Sequence, residues 1–221
     1  MPELWLPITA AVYAGALLLR RRVRSPLLNP TLVTMAALGA LLAAGHVPYA
    51  RYAGATSPLT ALLGPAIVAL AVPLHREREM LRRHAAPLAL GALLGATCAI
   101  AVGYGAGVLL GLAPDWAIAL SSQSASSPIS IALADELHGA AGLSAVVSVL
   151  AGVVGATLGP RWLDLVRVRH PMARGLAHGV ASHGIGTGRM IDETRLAGAT
   201  AAVGMGLGGV IVAVALPLLW T

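Results

Sequence analysis

The sequence has few charged residues, which make up 11% of its 221 residues, whereas hydrophobic residues make up 57%. A soluble domain of this size needs far more charge to cover its surface, so the composition excludes a soluble globular protein. The single cysteine, Cys98, excludes a disulfide framework and a thiolate metal site. The His and acidic residues lack a paired metal-ligand spacing, and no nucleophile, base and orienting residue form a plausible set. We therefore expect no enzyme, no metal and no cofactor.

Lysine is absent, so all 15 residues of the Lys and Arg class are arginines, and the formal net charge is +6. In a soluble chain, a pI near 10.7 would favour nucleic-acid binding. Here aromatic residues do not alternate with the basic ones, and the arginines fall in short clusters beside apolar runs. That distribution is the topology signal of membrane proteins. The expected partner is therefore the lipid bilayer and not nucleic acid.

Apolar runs fill most of the chain, whose mean hydropathy is +0.79. A helix rises about 1.5 Å per residue, so roughly 20 apolar residues cross a bilayer core of about 30 Å. The sequence predicts an all-α polytopic membrane protein with about six full spans. The predicted spans are Leu4–Leu19, Leu27–Gly45, Pro58–Leu74, Ala85–Ala113, Gly139–Gly159 and Leu196–Leu219.

The arginine clusters predict which segments cross the membrane fully. Cytoplasmic arginines at 20–24 put the N-terminus outside. The cluster at 161–174 is then cytoplasmic only if 116–137 dips in from outside and returns, and 175–194 becomes a second dip from inside. This arrangement leaves 14 of the 15 arginines on the cytoplasmic side or in the cytoplasmic dip, and only Arg51 outside. The alternative is that 116–137 is a full, broken span.

Two opposed re-entrant hairpins are typical of inverted-repeat transporters that bind their substrate near the midplane of the bilayer. The pair Asn29-Pro30 also resembles Ser127-Pro128, since in each an amide or hydroxyl residue precedes a proline at the start of an apolar helix. We therefore predict one domain, 1–221, with degenerate inverted repeats at about 1–84 and 85–221.

Glycines recur at four-residue spacing in three of the predicted spans. Such spacing predicts helices that cross closely, with general glycine enrichment of membrane helices as the alternative. The sets are Gly103/Gly107/Gly111, Gly155/Gly159 and Gly204/Gly208.

The stretch "SSQSASSPIS", residues 121–130, is polar but uncharged, and it lies between two apolar runs. Its hydroxyls and the Gln123 amide could replace the hydration shell of a substrate. Ser127 is the expected N-cap of a half-helix that has Pro128 in its first turn, and the N-terminus of that helix favours an anion. The alternative is a plain external serine-rich loop.

The stretch "HGVASHGIGTGR", residues 178–189, is the second candidate. Arg189 could bind a carboxylate bidentately, or it could be a cytoplasmic topology anchor. His183 could take part in proton coupling, or it could be a neutral hydrogen-bonding histidine at a helix kink. The candidate substrate-binding residues are Ser122, Gln123, Ser124, Ser126, Ser127, Ser182, His183, Gly184, Gly186, Thr187 and Arg189, with Asn29 facing the same cavity from the first half.

Four motifs occur together in the chain: Asn29-Pro30, Pro65–Ala71, Ser122–Ile129 and Ser182–Arg189. With them the chain resembles the LrgB/CidB family from about Ser25 to Leu219. That family usually reads Pro-Lys-Ser-Val-Thr in the serine-rich motif, so Gln123 stands here where relatives have a lysine. If that lysine anchors an anion in relatives, the anchoring charge here must come from Arg189 or from helix ends.

The resemblance implies two functions. One is a transporter or exporter of small monocarboxylates such as glycolate, glycerate or pyruvate, with proton coupling as an option, because the plant relative is a chloroplast glycolate/glycerate translocator and some bacterial relatives are linked to pyruvate uptake. The alternative is an antiholin-like regulator of murein hydrolase activity and autolysis that acts with a small LrgA/CidA-like membrane partner. Either implies a multi-pass protein of the bacterial cytoplasmic (inner) membrane, and we also expect a homo-oligomer, in the form of a dimer.

Overall fold

The computed structural model describes residues 4–23, 30–69 and 71–220, and within these ranges all regular structure is helical. The all-α class predicted from the sequence is therefore confirmed. The helices are α1 (Trp5–Arg22), α2 (Pro30–Ala44), α3 (Tyr49–Ala55), α4 (Ser57–Ala61), α5 (Leu63–Ala69), α6 (Ala71–Arg76), α7 (Arg78–Arg83), α8 (Ala85–Leu109), α9 (Pro114–Ser121), α10 (Ser127–Glu136), α11 (Ala141–Leu165), α12 (Pro171–Ile191) and α13 (Arg195–Trp220).

The chain forms two compact units, Met1–Ala71 and Val72–Thr221. In the first unit α1 packs against α2 and α3. The Trp5 ring meets the Tyr52 ring edge-on with centroids 5.8 Å apart, and the Thr9 hydroxyl lies 3.2 Å from the Tyr52 hydroxyl. The single domain and the internal repeats stay predictions.

Three helices of the second unit, α8, α11 and α13, are long and apolar enough to cross a membrane. Each presents large apolar side chains on its surface, among them Leu109, which is 87% exposed, and Leu94 and Val210. Contiguous apolar surface of this extent requires lipid or a protein partner to cover it. The structure therefore agrees with a helical membrane protein, and the number of six spans stays a prediction.

The predicted span 58–74 is interrupted at Leu62, between α4 and α5, whereas residue 70, between α5 and α6, lies outside the described residues. Pro58 lies in the first turn of α4 and Pro65 in the first turn of α5. Proline lacks a backbone N–H and fits the first turn of a helix, but it cannot continue a preceding helix without loss of a hydrogen bond. Pro65 therefore explains why the apolar run is interrupted at Leu62.

The segment 114–136 folds into a helical hairpin, here called hairpin 1, in which α9 and α10 flank a tip at 122–126. The carbonyl of Asp115 accepts a hydrogen bond of 3.3 Å from the N–H of Ala140, 25 positions later. A straight helix over that length would separate the two residues by about 37 Å. Across the tip, the Ser130 hydroxyl donates to the Ser122 carbonyl at 2.7 Å. The chain therefore reverses, as the sequence predicted.

Helix α12 folds back on itself at His183 and forms hairpin 2, with arms 171–182 and 184–191. His183 has φ 38° and ψ −129°, values that a residue other than glycine adopts only under strain. Arg174 Nε lies 2.6 Å from Glu193 Oε1, although a straight helix would separate these residues by about 28 Å. A Cβ added at Gly186 would lie 2.6 Å from the carbonyl oxygen of His178, eight residues earlier. The arms are thus closely packed.

The two hairpins point in opposite directions along α11. The base of hairpin 1 lies at the start of α11, where Ala140 bonds to Asp115. The base of hairpin 2 lies at its other end, where Arg174 Nη1 contacts Asp164 Oδ1 at 2.6 Å. This arrangement supports the opposed hairpins predicted from the arginine clusters. Their insertion into a bilayer and the inverted repeat stay predictions.

The glycines at four-residue spacing lie where helices cross closely, as predicted, except Gly111, which follows the end of α8 and has open space around it. A Cβ added at Gly103 of α8 would lie 2.6 Å from the carbonyl carbon of Leu120 in hairpin 1. A Cβ added at Gly204 of α13 would lie 2.8 Å from the carbonyl oxygen of Leu176 in hairpin 2. Because a side chain at either position would meet backbone atoms, these glycines permit the packing itself.

Candidate functional site

Ser148 of α11 connects the tips of the two hairpins. Its fully buried hydroxyl donates to the carbonyl of Ala125 in the tip of hairpin 1 at 2.7 Å. Its own carbonyl accepts a 2.9 Å hydrogen bond from Nε2 of His183 at the tip of hairpin 2. The hydroxyl of Ser127 lies 3.4 Å from that of Ser148. Ser127, Ser148, His183 and the Ala125 carbonyl are here called the tip centre.

Ser148 was not among the residues that the sequence marked as candidates. It lies in the run 139–159, which is apolar enough to predict a plain membrane span. The sequence signal that could have identified Ser148 is its spacing from Ser144. The two serines are four residues apart and therefore share one helix face. Both side chains are fully buried. Polar groups that a membrane helix turns inward are candidate site residues by default.

The His183 ring is held in one orientation by its neighbours. A carbonyl oxygen can only accept, so Nε2 donates to Ser148 and Nδ1 is the acceptor of the neutral ring. Gly152 of α11 leaves space for the His183 ring, because a Cβ at that position would lie 2.8 Å from Cε1 of the ring. Thr187 donates its hydroxyl to the His183 carbonyl at 2.8 Å. These contacts suit a hydrogen-bonding histidine at a helix kink, and proton coupling through His183 stays a prediction.

The candidate residues of hairpin 1 have different partners: Ser122 bonds to the backbone, whereas Ser127 belongs to the tip centre. The Ser122 hydroxyl donates to the Ala119 carbonyl of α9, three residues earlier, at 3.1 Å. The N-cap of α10 is Ser126, not Ser127 as the sequence suggested, since Ser126 has extended backbone angles and Ser127 is already helical. Ser124 is buried, and its Oγ lacks a hydrogen-bond partner among the residues that the structure describes. Gln123 is half-buried at the tip.

The candidate residues of hairpin 2 lie at several distances from the tip. Ser182 is buried against Gly155 of α11, and Gly186 is buried where the arms meet, whereas Gly184 is exposed. Arg189 is half-buried on the returning arm, six residues beyond His183. Its role as a carboxylate ligand stays a prediction. Asn29 lies outside the described residues.

A buried ion cluster at the base of hairpin 2 was not expected from the sequence, where Arg174 read as a topology anchor. The Arg174 side chain is 8% exposed and contacts both Asp164 and Glu193 at 2.6 Å. It also donates to the Val168 carbonyl at 3.1 Å. The cluster of Arg174, Asp164 and Glu193 therefore fastens hairpin 2 to the end of α11. The sequence signal that could have predicted this cluster is the pair of acidic residues, Asp164 and Glu193, that flank the hairpin.

Replacing Ser148 with alanine is expected to lower the free energy of unfolding by about 1–2 kcal/mol, because a buried carbonyl loses its short hydrogen bond. Titration from mild detergent into SDS measures this difference. Ser144→Ala is the matched control, since the Ser144 hydroxyl lacks a partner among the described residues and its removal is expected to be close to neutral. Equal losses in the two variants would contradict the bridging role of Ser148.

Comparison of the sequence with known proteins finds a family and several relatives. The sequence model of the LrgB-like family matches residues 9–221. YxaC of Bacillus subtilis, an uncharacterized protein, is 32% identical over 204 residues, which cover 92% of this chain and 89% of YxaC. The holin-like protein CidB of Staphylococcus epidermidis is 26% identical over 216 residues, which cover 98% of this chain and 94% of CidB. No solved structure matches.

Proposed function

Because the chain belongs to the LrgB-like family, as its motifs indicated, we propose that it is a holin-like membrane protein whose tip centre controls the passage of a small solute across the bilayer. One observation carries this proposal: Ser148 joins the tips of two opposed hairpins through buried hydrogen bonds. Polar groups inside an apolar bundle are costly, and in membrane proteins they mark solute or ion pathways.

The first form of this function is regulatory. In it the protein acts as an antiholin-like regulator of murein hydrolase export and autolysis, through a small LrgA/CidA-type membrane partner. The name "holin-like protein CidB", carried by staphylococcal relatives, supports this form more directly than any other. The partner would contact exposed apolar helix faces. The Gly103 and Gly204 faces are excluded as that surface, since hairpins 1 and 2 already cover them.

The second form is a carrier for small monocarboxylates of the glycolate, glycerate or pyruvate class. The hydroxyls of the tip centre support it, because they could bind carboxylate or hydroxyl oxygens. The first turn of α10, which begins at Ser127, adds backbone N–H groups and a partial positive charge. The names of the relatives support this form less, since those named above mention no substrate. We place either form in the bacterial cytoplasmic membrane, with the N-terminus outside.

Counterflow of labelled glycolate or pyruvate into proteoliposomes separates the two forms. A carrier gives uptake above empty vesicles, and Arg189→Gln lowers that uptake by about tenfold or more, as the loss of a charge-assisted hydrogen bond predicts. Arg195→Gln, at the exposed start of α13, is the matched control and is expected to retain uptake.

The regulatory form predicts a different outcome in the same vesicles. Addition of the protein would change dye release caused by an LrgA/CidA-type partner, and Arg189→Gln would leave that change intact. Absence of uptake with and without the partner would exclude the carrier form. If dye release were also unaffected, the proposed function as a whole would be wrong.

A further inference from the structure

The backbone conformation of His183 differs in its setting from that of the other described non-glycine residues with positive φ. Those residues are His46, His138 and Arg167, and each is exposed just beyond the end of a helix. His183 is instead 5% exposed and lies between two helical arms, with φ 38° and ψ −129°. A side chain at these angles is strained, and such strain persists only where surrounding contacts enforce it. Contacts of His183 must therefore offset this cost.

Two hydrogen bonds hold His183 in this conformation. The ring donates from Nε2 to the Ser148 carbonyl of α11 at 2.9 Å, and Nε2 also lies 3.4 Å from the Ser148 hydroxyl. The buried Thr187 hydroxyl donates to the His183 carbonyl at 2.8 Å. The bond from Thr187 stays within hairpin 2, whereas the bond from the ring joins hairpin 2 to α11. The ring bond therefore opposes the strain of the turn and fixes its position.

The ring lies directly on the backbone of α11, because position 152 lacks a side chain. A Cβ added at Gly152 would lie 2.8 Å from Cε1 and 3.0 Å from Nε2 of the His183 ring, and 2.9 Å from Cδ1 of Ile185. Residues 183–188 are here called the tip segment. Among the residues that the structure describes, the bonds of the His183 ring to Ser148 are the hydrogen bonds that join the tip segment to α11.

The exposed side of the tip segment is loosely packed. A Cβ added at Gly188 would meet open space, and one added at Gly184 would have only the Met205 sulfur near it, at 3.9 Å. Gly186, in contrast, packs against the first arm of the hairpin, since a Cβ there would lie 2.6 Å from the His178 carbonyl oxygen. A movement of the turn away from α11 would therefore be small and local.

We propose that His183 is a latch, which means that its ring positions the tip segment against α11 while its strained backbone favours release. The strain offsets part of the stabilisation that the ring hydrogen bond contributes, so the closed and released tips lie close in free energy. Displacement of the ring from the Ser148 carbonyl lets residue 183 adopt ordinary backbone angles and separates the two sides of the tip centre. This inference rests on the proposed function in one respect, because release of the tip would admit a solute. The latch itself is tested without any solute.

A cysteine in place of half-buried Ile185 reports release, because it reacts faster with a small water-soluble thiol reagent once the tip segment leaves α11. It also removes the Ile185 Cδ1 atom, so that Gly152→Ala in this background meets the His183 ring alone. We expect Gly152→Ala to raise the labelling rate of Ile185→Cys by about threefold or more, the effect of losing one hydrogen bond. Gly142→Ala, in open space on the same helix, is the matched control and is expected to leave the rate unchanged. Cys98 is replaced by serine in every variant.

Two substitutions at His183 separate the strain from the ring. His183→Ala removes the ring and keeps the strain, whereas His183→Gly removes both. Because alanine is destabilising at positive φ and glycine is not, we expect Ile185→Cys to be labelled about threefold faster, or more, in the alanine variant than in the glycine variant. Equal labelling rates in the two variants would overturn the strained latch.

A second reporter distinguishes release of the tip from general loosening of the protein. Ser144→Cys replaces a fully buried hydroxyl one turn before Ser148, and it is expected to stay unlabelled in all these variants. If Gly152→Ala left the labelling of Ile185→Cys unchanged, or raised that of both reporters equally, the latch would be wrong, whether or not His183→Ala folds. Release of the tip in a protein that shows neither solute uptake nor an effect on dye release would support the latch while contradicting the proposed function.

Discussion

Replacement of Arg174 with glutamine is expected to lower the free energy of unfolding by about 3–5 kcal/mol, the cost of leaving a buried charge without its partner. Glu193 accounts for most of this loss, because its carboxylate is largely buried and faces the Arg174 guanidinium at 2.6 Å. Asp164 contributes little, since it is well exposed and a solvated ion pair contributes at most about 1 kcal/mol. The Val168 carbonyl also loses a donor. Titration into SDS measures the total.

The matched control for this substitution is Arg169→Gln, which removes an exposed arginine from the loop before α12. Surface changes of this kind stay within about 0.5 kcal/mol of the parent. A loss of similar size in both variants would show that Arg174 acts as a general surface charge and not as the attachment of hairpin 2 to α11.

Replacement of Gly179 with alanine is expected to lower the free energy of unfolding by about 3 kcal/mol, at the upper end of what overpacking costs. The added Cβ would meet the backbone of Ala201 in α13, where the carbonyl carbon lies 2.8 Å and the Cα 2.9 Å away. Backbone atoms cannot rotate aside as a side chain can, so the first arm of hairpin 2 must move away from α13. The same SDS titration measures the effect.

Gly188→Ala is the control, and it is expected to change the free energy of unfolding in the opposite direction. It lies on the returning arm of the same hairpin, where an added Cβ meets open space. Alanine favours the helix over glycine by about 0.5–1 kcal/mol, so this variant is expected to be slightly more stable than the parent. If Gly179→Ala were as well tolerated as Gly188→Ala, the close contact between hairpin 2 and α13 would be wrong.

The sequence predicted the hairpins because membrane topology depends on charge, and charge is visible in the sequence. Placing the arginine clusters on one side required 116–137 and 175–194 to return, and the structure shows a chain reversal in both. Pro65 in the span 58–74 was equally visible. The interruption that it causes at Leu62 was missed because hydropathy alone predicted one continuous span.

Only part of the tip centre could be predicted from the sequence, because burial and contact depend on packing between distant segments. Ser127 and His183 were identified as candidates because they lie in polar stretches of an otherwise apolar chain. Ser148 was missed, since one serine in an apolar helix is unremarkable until two hairpin tips meet it. Arg174 was classified with its exposed neighbours Arg167 and Arg169, because sequence alone does not show which arginine of a cluster turns inward.

Sided labelling of two introduced cysteines tests most directly the central claim that hairpin 2 enters the bilayer and returns. Arg169→Cys and Asp192→Cys are made separately in a Cys98→Ser background, at exposed positions before and after the hairpin. A membrane-impermeant maleimide is applied to intact cells and to inverted vesicles. A re-entrant hairpin predicts that both positions are labelled only from the cytoplasmic face. Labelling of the two positions from opposite faces would show that 171–191 crosses the membrane, and it would contradict the re-entrant arrangement.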